Sequence, residues 1–254
     1  MSNKEYLVLL KFLQADNYKG FFDNLNEKIY ETIKDFDSFN IVDKCYVYLA
    51  LCVYSVRSVA KVSNNFIGDQ DVELTLLLNN IEKCFQDKRI YFQINDKIKI
   101  TFGVPTKFYV DKSNNIVIDY LSNVLEINDK KLSIEDKERF LSSISTKLKL
   151  QMEEKVMSNL LDKFDIFDGV PMNKLELPLY RFPLIFNIAN IYRMGLKSFY
   201  DVLYMCTKHA KMSYDGFMDL SYMETDIILK TCLEEKQREA EQMNSALGQD
   251  SNHG

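Results

Sequence analysis

Few residues in this chain have the types and spacing for proton transfer, nucleophilic attack or metal binding. There are two histidines, and His253 stands beside the last residue in a polar tail. A triad or a His metal site would therefore have to use His209. Cys206 lies one helical turn before His209, a spacing that could pair a nucleophile with a base. A reactive thiolate needs an electropositive, partly open setting. Cys206 instead shares an apolar helix face with Phe199 and Val202, so it reads as a core cysteine. His209 then reads as a helix-terminal residue near the negative end of the helix dipole. Asp35 with Asp37, Asp162 with Asp165, and Asp165 with Asp168 could hold a divalent ion or share a proton. No third ligand accompanies them, and they read as decoration of helix ends and turns.

The eight glycines include no pair at GxG spacing, so there is neither a dinucleotide fingerprint nor a phosphate loop. The five cysteines form no CxxC pair, which argues against structural zinc. Their odd number and apolar surroundings, and the lack of a basic secretory start, predict a reducing, cytoplasmic setting. The expectation is a protein with no catalytic set, no metal and no cofactor.

Composition narrows the partners. With 254 residues the chain has room for one large or two small domains and a sizeable core. The net charge of -5 gives no pull toward nucleic acid or an anionic membrane. Of 32 basic residues only six are Arg, the side chain that forks onto phosphate and guanine. Lys147, Lys149, Lys155 and Lys163 could make a basic patch, but Glu153 and Glu154 interrupt them, as on a solvated helix face. The longest uncharged apolar run, Cys45 to Val56, is too short for a bilayer core of ~30 Å.

Hydrophobic periodicity predicts an α+β protein, predominantly α-helical. Helices flank a small antiparallel sheet and are followed by a helical C-terminal domain. Residues 4–35 read as helix broken near Gly20. Residues 41–62 read as a central core helix, apolar nearly all round. Residues 70–85 fit a helix, or a strand followed by a short helix. The period then changes to two: residues 90–94 and 98–102 flank Asn95-Asp96 as a hairpin, and residues 108–110 and 116–118 make a second. Ser133-x-x-Asp136 begins a long amphipathic helix marked by Ile144, Leu148, Met152, Val156, Leu160 and Phe164. Asp168-Gly169-Val170-Pro171 ends it, and the stretch to Pro178 reads as a linker. Ser198, Ser213 and Ser221 each mark a helix start in the last block. The expected organisation is a helical region 1–89, a β region 90–127, a long helix 128–170, a helical domain 171–243 and a disordered tail 244–254.

One segment has the composition of a contact surface. Tyr180 to Tyr192 packs aromatic and β-branched residues around Arg181, as in interface hot spots. The candidate partner-binding residues are Tyr180, Arg181, Phe182, Phe186 and Tyr192, with Tyr214, Phe217, Met218 and Tyr222 further on.

Three stretches carry a resemblance. They are Asp43 to Ser58 (DKCYVYLALCVYSVRS), Ile98 to Thr106 (IKITFGVPT) and Met212 to Glu224 (MSYDGFMDLSYME). With the helix–sheet–helix layout, the chain resembles the baseplate hub assembly proteins of T-even-type contractile-tailed bacteriophages. The third stretch also looks like the helical end of phage tail assembly chaperones. The resemblance covers most of the chain in layout but only these stretches in residues. It implies a non-enzymatic assembly factor that binds other baseplate hub or tail proteins in the cytoplasm of the infected host, with no nucleic-acid or membrane partner. Two alternatives stay open: a structural hub component retained in the virion, and a small enzyme using carboxylates and a metal.

Overall fold

The computed structural model describes residues 1–64, 68–84, 89–163 and 185–250. The fold is α+β and predominantly helical, with small antiparallel sheets between helical blocks. Among the described residues no helix is long and apolar enough to cross a membrane.

Helix α1 (Asn3–Gln14) opens on a capping box in which the Glu5 N–H donates to Ser2 Oγ and the Ser2 N–H donates to the Glu5 carboxylate. Helix α2 (Tyr18–Tyr30) starts at Asn17, whose side chain accepts from the Gly20 N–H at 2.9 Å. The break between the helices therefore falls at residues 15–17, where Asp16 has φ 48°, and not at the predicted Gly20. Gly20 serves packing instead. A Cβ there would come within 2.4 Å of the Phe12 ring, so only glycine lets α2 lie this close to α1.

A 3-10 turn (Phe36–Ser38) leads to helix α3 (Ile41–Ser55), capped by the Asn40 side chain. The predicted extension of this helix to residue 62 does not occur. Strand β1 (Val59–Asn64) follows and pairs with β2 (Gly68–Glu73) from Val59↔Glu73 to Asn64↔Gly68. The Val and Ser residues from 56 to 63 suit extended backbone better than helix. Helix α4 (Leu74–Cys84) comes next, so the strand-then-helix alternative is the one realised.

Strands β3 (Ile90–Asn95) and β4 (Ile98–Phe102) form the first predicted hairpin, and β5 (Lys107–Val110) and β6 (Ile116–Asp119) the second. Strands β7 (Val124–Ile127) and β8 (Lys130–Lys131) complete a four-stranded sheet in the order β3-β4-β7-β8. The predicted single long helix is two: α5 (Ile134–Ser143) and α6 (Thr146–Lys163). Ile144 is extended (ψ 149°), and the Leu148 N–H donates to Ser145 Oγ, which restarts the helix. The Ser142-Ser143-Ile144-Ser145-Thr146 cluster favours a cap over helix continuation. Phe164, Asp165, Asp168 and the expected linker lie outside the described residues.

The last block comprises α7 (Ile185–Tyr192), α8 (Leu196–His209), α9 (Tyr214–Asp219) and α10 (Tyr222–Asp250). Ser213 and Ser221 cap α9 and α10 as predicted. Ser198 does not cap α8. Gly195 holds that place and Ser198 sits in the first turn. Helix α10 runs to Asp250, through the start of the expected disordered tail, and residues 251–254 lie outside the described residues.

The helices before the sheet and those after it share one core, although the sequence divides them into separate regions. The Asn3 N–H donates to the Leu220 carbonyl at 2.6 Å, and the buried Asn3 side chain donates to the Phe217 carbonyl at 2.8 Å. The Tyr6 hydroxyl donates to the Tyr192 carbonyl at 2.8 Å, and the Tyr192 hydroxyl donates to the Tyr48 carbonyl at 2.6 Å. The Tyr48 hydroxyl continues the chain to Asn26 Oδ1. Burial pushes all three phenols above the ordinary tyrosine range, so these hydroxyls stay protonated donors. Edge-on ring contacts fill the space around them: Tyr6 with Phe199 and Tyr222, and Phe21 with Tyr192.

Tyr192→Phe removes the hydroxyl that joins α7 to α3 and keeps the ring. It should lower stability by about 1–2 kcal/mol. In urea denaturation the midpoint should fall while the slope stays constant; an unchanged midpoint would show that this bond adds nothing to the shared core.

Candidate functional site

Among the described residues, those that could do chemistry do not converge. Cys206 is fully buried, and its thiol lies 3.9 Å from the Thr225 carbonyl of α10. Burial first, then Asp226 and Cys232, pushes the thiol above its usual range, the opposite of what a nucleophile needs. His209 ends α8, with Nδ1 3.0 Å from Lys236 Nζ. Shielding from water, then Lys236, Lys208 and Lys211, lowers its pKa. The Asp35 carbonyl closes the 3-10 turn by accepting from Ser38, and the Asp37 carboxylate accepts from the Tyr30 hydroxyl. Among the described residues no three His, Cys, Asp or Glu side chains gather to hold a metal ion.

The predicted contact residues divide sharply. Tyr180, Arg181 and Phe182 lie outside the described residues, and Phe186 is placed only as a member of α7. Tyr192, Phe217, Met218 and Tyr222 are buried, which corrects their reading as partner-binding residues. Phe217 packs edge-on against Phe199 at 5.5 Å, and Tyr222 stacks on Phe199 at 6.1 Å. Aromatic richness marked them, but core and interface draw on the same residue types. Tyr214 alone of the described set is open, at 57% exposure.

Exposed tyrosines are spread over the described surface (Tyr54, Tyr91, Tyr109, Tyr214), but two stand one turn apart on α8. Lys197, Tyr200, Tyr204 and Lys208 recur at helical spacing opposite the buried Phe199 and Cys206. Tyr200 is 46% exposed and Tyr204 59%. Lys208 Nζ stands 5.5 Å from the Tyr204 ring centroid, a cation–π contact that orders the outer end of the stripe. Inspection of the sequence could have found this stripe. The i, i+4 pair Tyr200 and Tyr204 sits on the face left over once Phe199, Val202 and Cys206 are turned inward.

The second exposed feature is the outer half of α10. Every residue from Leu233 to Asn244 is exposed. At 1.5 Å per residue, this exposed stretch from Leu233 to Asn244 is about 18 Å long. Glu, Gln, Lys, Arg and Ala sustain it by intrinsic propensity, helped by Glu234–Arg238 and Gln237–Glu241 pairs one turn apart. Its base is tied to the end of α8, where the Cys232 thiol donates to the His209 carbonyl at 3.1 Å and Lys236 meets the His209 ring. The Tyr stripe and the arm are thus two faces of one α8–α10 unit.

Comparison with known protein families, curated proteins and solved structures gave no match for this chain.

Two outcomes follow from the geometry. In the native protein Cys206 should resist iodoacetamide at pH 8 and react only after unfolding, whereas the half-buried Cys232 should be alkylated first; peptide mass mapping reads both. Native alkylation of Cys206 would reopen the nucleophile reading. His209 should titrate below its ordinary 6.5 in ring-proton NMR, and Lys236→Gln should move the midpoint up. Because the folded ring prefers its neutral form, its protonation disfavours the fold as pH falls through that midpoint. A midpoint above 6.5 would be wrong for this arrangement.

Proposed function

We propose that the chain is a non-enzymatic bacteriophage assembly factor that promotes formation of the tail baseplate central hub through protein–protein contacts. The observation that carries this reading is the α8–α10 unit, an exposed Tyr/Lys stripe beside a projecting helix, on a body whose candidate nucleophile is buried and neutral. Tyrosine supplies large contact area with only two rotors to immobilise, which keeps the entropic cost of docking low. An exposed helix can lie in a partner's groove, or pack beside a partner's helix, with little rearrangement. The resemblance of Asp43–Ser58, Ile98–Thr106 and Met212–Glu224 to hub assembly proteins supplies the class of partner.

In this reading the chain works in the cytoplasm of the infected bacterial host, without nucleic acid, membrane or cofactor. It holds a hub subunit in a joining-competent shape, or covers its apolar surface until the next subunit arrives. Either action removes part of the conformational cost of assembly. A structural hub component retained in the virion would use the same surface and differ only in its fate.

The test is a tagged pull-down from phage-infected cells, read by mass spectrometry, with the Tyr200→Ala/Tyr204→Ala double variant beside the wild type. Enrichment of baseplate hub proteins by the wild type, reduced at least severalfold in the variant at unchanged melting temperature, is the expected result. Recovery of the chain alone, or with host metabolic enzymes, would end the assembly reading. Mass spectrometry of purified virions separates the two fates: an assembly factor is absent from the particle, a structural component is present.

A further inference from the structure

The packing line of α10 continues into its exposed half. Tyr222, Thr225 and Leu229 turn into the core, and Leu233, Ala240 and Met243 extend the same line at three-, four- and seven-residue spacing. There the line is open: Met243 is 67% exposed, and Leu233 and Ala240 are exposed with it. Lys236 interrupts it, but its ammonium is held at 3.0 Å by the His209 ring of its own chain. Helical spacing puts Glu239 on one flank of the line, Glu234 and Glu241 on the other, and Arg238 at the back. From Leu233 to Asn244 four glutamates outweigh Lys236 and Arg238.

The α8 stripe is its complement. Tyr200 and Tyr204 supply apolar area, and Lys197 and Lys208 supply positive charge, with Asp201 at the margin. Lys197 to Lys208 and Leu233 to Asn244 each span twelve residues, about 18 Å of helix. Within one chain the two do not meet. The Cys206 thiol lies by the Thr225 carbonyl, and the Cys232 thiol donates to the His209 carbonyl, so α10 runs in the same direction as α8. His209 is the last residue of α8, and the exposed half of α10 starts at Leu233, one residue past that contact. The arm begins where its own α8 stops.

We propose that the chain pairs with a second copy of itself, the exposed half of α10 of each copy lying along the Tyr200–Tyr204 stripe of the other. The second copy's α8 then continues the surface that the chain's own α8 leaves at His209. Leu233, Ala240 and Met243 pack on the tyrosine rings and exclude water from both. The flanking glutamates face Lys197 and Lys208, as charged flanks do beside a coiled-coil seam, and these pairs set orientation and register more than affinity. So short a contact belongs among weak interfaces, and the copies separate on dilution. The pairing uses the stripe assigned above to hub contacts, and a hub subunit docking there displaces the arm. It does not depend on the hub being the partner.

The experiment is sedimentation velocity of the full chain over a concentration series at low and high salt. A monomer–dimer equilibrium is expected, with a dissociation constant that rises severalfold between about 0.05 and 0.5 M NaCl as the Glu–Lys attraction is screened. Lys197→Glu/Lys208→Glu, and separately Glu239→Lys/Glu241→Lys, should each weaken pairing about tenfold at unchanged melting temperature. Mixing the two variants should restore a dimer, because each arm then meets a stripe of opposite charge. The salt and concentration series on the wild type stands even if a variant fails to fold. A monomer at every concentration, a dimer indifferent to both reversals, or variants that stay apart on mixing would overturn the pairing. A monomeric chain that still captures hub proteins would sink the self-contact and leave the assembly reading standing; a dimer that captures none would do the reverse.

Discussion

The hydroxyl-to-carbonyl relay from Tyr6 through Tyr192 to Tyr48 is the constraint on which the rest of the structure depends. It ties the first helix to the seventh and the seventh to the third, across separations of 186 and 144 residues. Each buried hydroxyl must find an acceptor or bear the desolvation cost alone. A tyrosine in the core is therefore more specific than a phenylalanine: it fills space and also fixes which backbone carbonyl lies at its tip. With these three in place, α1, α3 and α7 have one mutual arrangement. The Asn3 contacts to α9 and α10 then set the last helices against the first.

This arrangement decides which faces stay exposed. Because α8 turns Phe199 and Cys206 into the core, Tyr200 and Tyr204 must point out. Helix α10 spends Tyr222, Thr225 and Leu229 on the core, and its continuation from Leu233 to Asn244 stays exposed. The exposed surface is thus a geometric consequence of the closed core. The same closure buries Lys44 of α3 beside the Phe36 ring. One packing solution yields a closed core and an open aromatic stripe.

The handling of polar groups is consistent across these regions. Helix starts are satisfied locally by Ser2, Asn17, Asn40, Ser133, Ser213 and Ser221. The thiols of Cys45 and Cys52 are raised far above ordinary values by burial, and behave as small apolar groups. Lys44 departs from the pattern, as a buried cation whose ammonium donates to the backbone carbonyls of Asp37 and Thr106.

Local features were legible in the sequence by itself. Period-two alternation located both central hairpins, and Ser213 and Ser221 located two helix starts, because strand pairing across short turns and N-caps are settled within a few residues. The α-rich α+β class followed from the same periodicities. What the sequence could not disclose depends on partners distant in the chain. The helix predicted over residues 41–62 gives way to a strand because residues 68–73 stand ready to pair with it. Tyr192, Phe217, Met218 and Tyr222 look like contact residues until Tyr6 and Phe199 are brought against them from other helices. An aromatic residue is suited equally to a core and to an interface, and only the tertiary structure decides which, by placing or withholding the neighbours that exclude water from it.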